Sequence, residues 1–431
     1  MNRRGLALGI LPWMALVGCG SSSDEPPATL VIDGGIDGTQ ALPNGGDSPA
    51  ADGASSAPDG ATDDGAGSAP DGAAGSAVVD TTPITGAQPD TWTWVPFDDA
   101  FCRDGTTTGI ALNVHPGATQ LMIYLEGGGA CFNEVTCLDN PSHFDEQSFL
   151  ALTSDAGVGG TDPGIFGRTD PANPVKDWSY VYVPYCTGDV HAGDNPNGTV
   201  AGVLSADGGP ETQVFVGYRN LGYYLARVVP TFPGVTQVLL TGISAGGFGA
   251  AANYLRVAKA FGSVPVYLLD DSGPPMDAPY IAPCESSAWV STWSLDQTIL
   301  ADCGSDCSND GHYLIDYVKH AVTAYPAVPF GLLESTDDGT ITEFFGFGAM
   351  DCTEYVQETA DDFSAGLQDI RTQLAANTNF GAYIFSGTRH TTLESTADFD
   401  TQTVPGADGG TVLLTDWISA LVAGQVTNVG P

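Results

Sequence analysis

A serine between two glycines is the strongest chemical signal in this sequence of 431 residues. Ser244 lies between Gly242 and Gly246, after the apolar run 238–242 and before a segment rich in alanine. This order predicts a strand, a tight turn and a helix, the arrangement in which a strained turn exposes a serine hydroxyl as a nucleophile. The positive end of the helix dipole favours negative charge at the same point. We therefore predict Ser244 to be a catalytic nucleophile.

A serine hydroxyl needs a base to remove its proton, and in this arrangement the base follows the serine and the acid along the chain. Three histidines precede the serine and two lie in or beside a predicted helix: His115, His143, His191, His312 and His320. The remaining one, His390, falls in a loop directly after the last predicted strand. His390 is therefore the predicted base.

The acid that orients such a histidine is expected in the loop after the predicted strand 330–334. That loop offers Asp337 and Asp338, which spacing alone does not distinguish, and Glu334 at the end of the strand is a weaker candidate. Asp270 and Asp271, which end an earlier strand, are alternatives for the acid or are structural turn residues.

The tetrahedral intermediate of acyl transfer also needs N–H groups that bind its oxyanion. A run of glycines at 127–129 follows an early apolar strand, and glycine lets the backbone approach a ligand closely. We expect the donors to be the amides of Gly128, Gly129 and Ala245. A phosphate-binding loop is the competing interpretation, but the run lacks the accompanying lysine.

Short apolar runs that alternate with longer amphipathic stretches surround these residues. The predicted strands are 121–125, 180–184, 238–242, 266–269, 330–334 and 382–385. The predicted helices are 215–229, 247–261, 313–325, 361–376 and 412–422. Nearly all-apolar strands separated by helices predict an α/β fold of the α/β-hydrolase type, a mostly parallel sheet covered by helices on both faces. Such sheets carry their sites at the carboxyl ends of the strands.

The N-terminal region has the features of an export signal. Two arginines are followed by a short apolar run and by Leu-Val-Gly-Cys at 16–19, which resembles a bacterial lipoprotein signal with Cys19 as the lipidated residue. Residues 20–90 are dominated by Gly, Ala, Asp, Ser and Pro, a composition typical of a disordered linker. We therefore predict a signal peptide over 1–19, a linker over 20–90 and one folded domain over 91–431.

Eight cysteines remain once Cys19 is set aside for the lipid. An even number in an exported protein predicts up to four disulfides. The short gaps make Cys131 with Cys137, and Cys303 with Cys307, the easiest pairs to assign. A zinc site is the alternative, but the sequence has no Cys-x-x-Cys pair and no clustered histidines.

The sequence has a strong excess of negative charge, with fifty-two acidic residues against twelve basic ones and a net charge of −40. Such a surface repels polyanions, so nucleic acid is excluded as a partner.

Several segments, taken together and in order, resemble the pectin acetylesterase family, which includes the Notum carboxylesterases. These segments are Leu-Glu-Gly-Gly-Gly-Ala-Cys at 125–131, Pro-Tyr-Cys-Thr-Gly-Asp at 184–189, Gly-Ile-Ser-Ala-Gly-Gly at 242–247 and Asp-Ser-Gly at 271–273. The resemblance selects Asp337 as the acid and His390 as the base. Ala130 stands where the family usually has tryptophan, and Thr391 stands where plant members have cysteine. Both differences bear on the substrate side of the pocket.

The resemblance and the motifs together predict an extracytoplasmic serine carboxylesterase that works through an acyl-enzyme and needs no metal or organic cofactor. The first expected substrate is an acetylated polysaccharide. The alternatives are an esterase for longer acyl chains or polyesters, or a non-catalytic binding protein. The lipid on Cys19 would attach the protein to a membrane, and Gly20 favours the outer membrane.

Overall fold

The computed structural model describes residues 79–431 except 155–157, 159, 161, 207, 308–310 and 408. The predicted lipidation site Cys19 and the linker up to residue 78 lie outside the described residues. Residues 79–90 pack on the folded unit, where Ile84 is buried and its amide donates to the hydroxyl of Thr231 at 2.7 Å. The folded unit therefore includes residues before the predicted boundary at 91.

The centre of the fold is an eight-stranded sheet in the order β1-β2-β4-β3-β7-β8-β9-β10, with two separate two-stranded ribbons, β5-β6 and β11-β12. The strands are β1 (Trp92–Phe101), β2 (Thr107–Asn113), β3 (Gln120–Leu125), β4 (Ser179–Val183), β5 (Asn195–Gly198), β6 (Gln213–Phe215), β7 (Gln237–Ile243), β8 (Val266–Asp271), β9 (Phe330–Ser335), β10 (Phe380–Phe385), β11 (Thr403–Pro405) and β12 (Thr411–Leu413).

Six neighbouring strands run parallel: β4, β3, β7, β8, β9 and β10. Strand β2 pairs antiparallel with β4, and the edge strand β1 pairs antiparallel with β2. All six predicted strands are these parallel ones. Their side chains alternate between two apolar cores, as in β3, where Leu121 and Ile123 face one core and Met122 and Tyr124 face the other. A strand buried on both faces reads as a continuous apolar run, which is why the sequence predicted these six.

Helices cover both faces of the sheet. They are α1 (Glu134–Asp139), α2 (Glu146–Ser154), α3 (Gly217–Thr231), α4 (Ala245–Ala252), α5 (Tyr254–Phe261), α6 (Pro283–Trp293), α7 (Ile299–Cys303), α8 (Tyr313–Ala324), α9 (Ile341–Phe345), α10 (Ala349–Cys352), α11 (Ala360–Gln373), α12 (Thr396–Thr401) and α13 (Leu414–Val422). Helices α3, α5, α8 and α11 contribute to one core, and α2, α12 and α13 contribute to the other. The predicted fold class is therefore confirmed.

Four disulfides link the cysteines of the described residues: Cys102–Cys186, Cys131–Cys137, Cys284–Cys352 and Cys303–Cys307. The two pairs assigned from short spacing are confirmed. Disulfides of this number are typical of proteins that fold in an oxidising compartment outside the cytoplasm. Among the described residues, no helix is both long enough and apolar enough to cross a membrane.

Candidate active site

Ser244 occupies a strained turn between strand β7 and helix α4. Its backbone angles are φ 54° and ψ −123°, in a region that non-glycine residues rarely adopt. The amide of Ser244 donates to the carbonyl of Asp271 at 2.8 Å, which ties the turn to the end of β8. A Cβ atom at Gly246 would overlap the carbonyl of Leu125, so a larger residue there would push the turn away from β3. The turn therefore has the local geometry that was predicted for a nucleophile.

His390 lies in the loop after β10 and is held by a buried carboxylate. Its Nδ1 is 2.8 Å from Oδ2 of Asp338, whose side chain is fully buried. The other oxygen of Asp338 accepts from the amides of Thr340 and Ile341, each at 2.9 Å. A carboxylate can only accept here, so it holds the proton of the ring on Nδ1 and leaves Nε2 as the basic nitrogen.

The choice of Asp337 as the histidine's partner is corrected by this contact, because the structure pairs His390 with Asp338. Asp337 uses its amide to bind the carbonyl of Gly387 at 3.0 Å, and its side chain is only half-buried. The two aspartates are adjacent in an irregular turn, where side-chain direction depends on the backbone path between the ends of β9 and β10. Sequence spacing contains no information on that path.

Asp271 links the serine turn to the histidine loop. Its carbonyl accepts from Ser244, and its carboxylate accepts from the amides of Thr392 and Leu393 at 2.8 and 2.9 Å. Burial raises the pKa of Asp271 to about 6, and the two amide donors oppose that rise. Asp271 was an alternative for the acid, but its hydrogen bonds give it a different position, in which it holds the residues just after His390.

The glycine run after β3 borders the serine turn. Gly128 and Gly129 have φ values of 150° and 77°, and Nδ2 of Asn140 donates to the carbonyl of Gly128 at 2.8 Å. Gly129, Ser244 and Ala245 line the same cavity. Ala245 is the first residue of α4, so its amide has no acceptor four residues earlier within the helix. Gly128 instead lines a second cavity, which Gly129 also lines.

A buried histidine supports the beginning of this glycine segment. Nε2 of His191 lies 2.9 Å from the carbonyl of Glu126. Burial lowers the pKa of His191 to about 4, so the ring is neutral at physiological pH and its Nε2–H donates to that carbonyl. Burial also raises the pKa of Glu126 to about 8, although the amide of Tyr185 donates to its carboxylate at 2.8 Å.

The cavity beside Ser244 is almost entirely apolar and has a volume of about 580 Å³ including its open mouth. Most of its lining is aromatic and aliphatic: Phe248, Trp289, Trp293, Leu295, Ile299, Leu314, Ile341, Phe344 and Phe345. Ala130 lines the cavity at the position where the resemblance expects tryptophan. Nε1 of Trp293 donates to the carbonyl of Cys131 at 2.9 Å, which fixes the wall to the end of the glycine segment.

Sequence reasoning missed several residues that shape this site. Asn140, which follows α1, and the aromatic residues of α6 and α9 were not identified, because none of these three helices was predicted. Trp289 and Trp293 are four residues apart, which places them on one helical face, and their rings stack at 5.8 Å. That spacing indicates an apolar helical face. It gives no information on where the helix lies relative to Ser244.

The sheet order and the sharp turn after β7 define an α/β hydrolase. A solved structure with the same architecture is the Wnt deacylase Notum from Drosophila. It matches with a TM-score of 0.54 at 19% sequence identity, over 78% of this chain and 95% of that chain. At this level of sequence identity, the similarity supports a shared fold and nothing further.

A sequence model of the pectinacetylesterase family matches residues 83–324, more than half of the chain, and the chain belongs to that family. The palmitoleoyl-protein carboxylesterase Notum of Homo sapiens is 29% identical over 180 residues, which is 40% of this chain and 34% of that protein. Notum2 of Xenopus laevis is 33% identical over 162 residues, 36% of this chain and 30% of that protein. The aligned segments thus span about a third of these relatives.

The family match includes the glycine segment and Ser244 but ends before the loops that contain Asp338 and His390. The family membership supports a carboxylesterase, whereas the pairing of Asp338 with His390 rests on the geometry of this structure.

Proposed function

We propose that this protein is a serine carboxylesterase in which Ser244 is the nucleophile, His390 the base and Asp338 the acid. The observation that supports this most directly is the strained turn of Ser244 beside an apolar cavity that opens to solvent. The Asp338–His390 pair supports it as well, since Asp271 connects the loop of His390 to the serine turn. Gly128, Gly129 and Ala245 are the proposed oxyanion donors.

The proposed reaction has two steps. Ser244 attacks the ester carbonyl while Nε2 of His390 removes the hydroxyl proton, and that proton then passes to the departing alcohol. The resulting acyl-enzyme is hydrolysed by a water molecule that the same nitrogen activates. Asp338 keeps the ring oriented and stabilises the imidazolium that forms in each step.

We propose that the acyl group is longer than acetyl. An acetyl group has one methyl to bury, whereas the cavity beside Ser244 is lined by aromatic and aliphatic side chains, among them Trp289 of α6, Ile299 of α7 and Phe345 of α9. Ala130 presents only a methyl group to this cavity, at the position where the resemblance expects a tryptophan ring. Each methylene buried in such a wall contributes about 0.8 kcal/mol, or about fourfold in kcat/KM if the contact is kept in the transition state.

Deacetylation of a polysaccharide is the second candidate, and the description of the matched family as pectinacetylesterase favours it. The net charge of −40 opposes a polyanionic polymer such as de-esterified pectin. A neutral acetylated polysaccharide would not meet this repulsion.

Hydrolysis of p-nitrophenyl acetate, butyrate and octanoate, together with release of acetate from acetylated xylan and pectin, separates the two candidates. We expect kcat/KM to rise from acetate to octanoate, and Ser244→Ala to lower turnover by several decades. A steady fall in kcat/KM with chain length, accompanied by rapid acetate release, would favour the polysaccharide. Near-normal hydrolysis by Ser244→Ala, with no fluorophosphonate labelling of the wild type, would refute the esterase assignment and leave a binding protein.

We also propose that the protein is exported and attached to a membrane by a lipid on Cys19. The resemblance of residues 16–19 to a lipoprotein signal and the four disulfides support this location. Incorporation of an alkyne-labelled fatty acid into the wild type, and its loss in Cys19→Ala, is the expected result. Equal labelling of both proteins would contradict it.

A further inference from the structure

A second carboxyl group is buried beside the proposed acid. Glu334 is the penultimate residue of β9 and has no exposed surface. Its Oε1 accepts from the amide of Ser335 at 2.7 Å, and among the described residues Oε2 has no hydrogen-bond donor. A buried carboxylate oxygen without a donor is strongly unfavourable, whereas a protonated oxygen at the same place can donate to a neighbour.

The neighbours of Glu334 are also acidic. Burial first, then the charge of Asp338, a side-chain hydrogen bond with Asp338 and finally the charge of Asp271 raise the pKa of Glu334 well above its ordinary range, and the amide of Ser335 opposes this rise. Asp338 lies in the turn after β9 and Asp271 ends β8, and the partner of Glu334 on β10 is the apolar Ile384. The charges acting on Glu334 from these elements are therefore negative and favour its neutral, protonated form.

Both oxygens of Asp338 already have hydrogen-bond partners. Two amides bind its Oδ1, and Oδ2 contacts the histidine. A carboxylate oxygen accepts more than one hydrogen bond, so Oδ2 has capacity for a donor besides the ring N–H.

We propose that Glu334 is a positioning residue whose carboxylic acid donates a hydrogen bond to the Asp338 carboxylate and holds it against His390. This inference rests on the proposed function, because it acts through the pair assigned there. The proton stays on Glu334 during the reaction, and no proton is transferred between the two carboxyl groups. Loss of that proton at alkaline pH replaces an attraction by a repulsion between two adjacent anions, so activity should fall there.

Two substitutions separate this role from simple packing. Glu334→Gln keeps an N–H donor for Asp338 and an oxygen for the Ser335 amide, but it does not titrate. Glu334→Leu keeps the approximate size and removes the donor. The matched control is Glu285→Leu in α6, which replaces another buried glutamate whose oxygens have no donor among the described residues.

The measurement is the pH profile of kcat and KM for p-nitrophenyl butyrate from pH 6 to 10, with thermal unfolding as a check on folding. We expect Glu334→Leu to lower kcat about 10- to 100-fold, as loss of one hydrogen bond to a charged group does, without raising KM. Glu334→Gln should keep kcat near the wild-type value and lose the alkaline fall. Glu285→Leu should retain both the wild-type kcat and the wild-type alkaline fall.

Two results would overturn the inference while leaving the proposed function intact. One is a wild-type kcat in Glu334→Leu alongside an inactive Ser244→Ala. The other is a fall of kcat at alkaline pH in Glu334→Gln that is identical to the fall in the wild type. This second result applies even if Glu334→Leu does not fold. Retained activity in Ser244→Ala would instead refute the proposed function.

Discussion

Replacing Asp338 with asparagine should reduce kcat by about four decades, and the structure gives the reason. The amides of Thr340 and Ile341 both donate to Oδ1 at 2.9 Å, so the carbonyl oxygen of an asparagine will take that place. The NH₂ group then faces Nδ1 of His390, where Oδ2 now lies at 2.8 Å. The opposite orientation would place NH₂ against two N–H donors.

This fixed amide changes the tautomer of the ring. An NH₂ donor requires Nδ1 to accept, so the ring proton moves to Nε2, and that nitrogen can no longer remove the serine proton. A four-decade loss corresponds to about 5.4 kcal/mol of transition-state stabilisation. Folding should change little, because the amides of Thr340 and Ile341 and Nδ1 of His390 all keep a hydrogen-bond partner.

Asp337→Asn is the matched control, because it makes the same chemical change one residue away. Its side chain is half-buried and its amide binds Gly387, so kcat should stay near the wild-type value. The assay is steady-state hydrolysis of p-nitrophenyl butyrate at pH 8, with circular dichroism to confirm folding. Loss of activity in Asp337→Asn, with Asp338→Asn near wild type, would refute the assignment of Asp338.

Two further changes test the pocket and a buried carboxyl group. Ala130→Trp places a ring in the cavity beside Ser244, so kcat/KM for octanoate should fall more than that for acetate; a uniform loss for both esters would contradict the acyl-pocket assignment. Glu126→Gln removes a group whose pKa burial raises from 4.5 to about 8. Because the folded state holds that proton more tightly, its contribution to wild-type stability is present below pH 4.5 and is lost as the pH rises through 8. The stability of Glu126→Gln relative to wild type should therefore increase between pH 5 and 8.5, by an amount on the order of a few kcal/mol, in urea unfolding. A difference that does not depend on pH would contradict the buried, protonated state of Glu126.

The elements that the sequence predicted least well are those whose burial depends on neighbours. Strand β1 (Trp92–Phe101) contains Pro96 and two aspartates and lies at the edge of the sheet, so it lacks an apolar run. The predicted helix 247–261 is two helices, α4 and α5, separated at Asn253. The side-chain amide of Asn253 donates to the carbonyls of His191 and Gly249 at 3.0 and 2.8 Å, a break that depends on a distant loop.

The sequence by itself determined the parallel core of the fold, the turn that contains Ser244 and the two short disulfides. These depend on local order: apolar runs long enough for strands, glycines where the turn has no room for side chains, and cysteines a few residues apart. Tertiary structure alone decided that Asp338 and not Asp337 meets His390, that Asp271 joins two loops, and that α6 and α9 line an apolar cavity. Each depends on the direction of a side chain from an irregular loop or short helix, and that direction is set by contacts with residues far away in the chain.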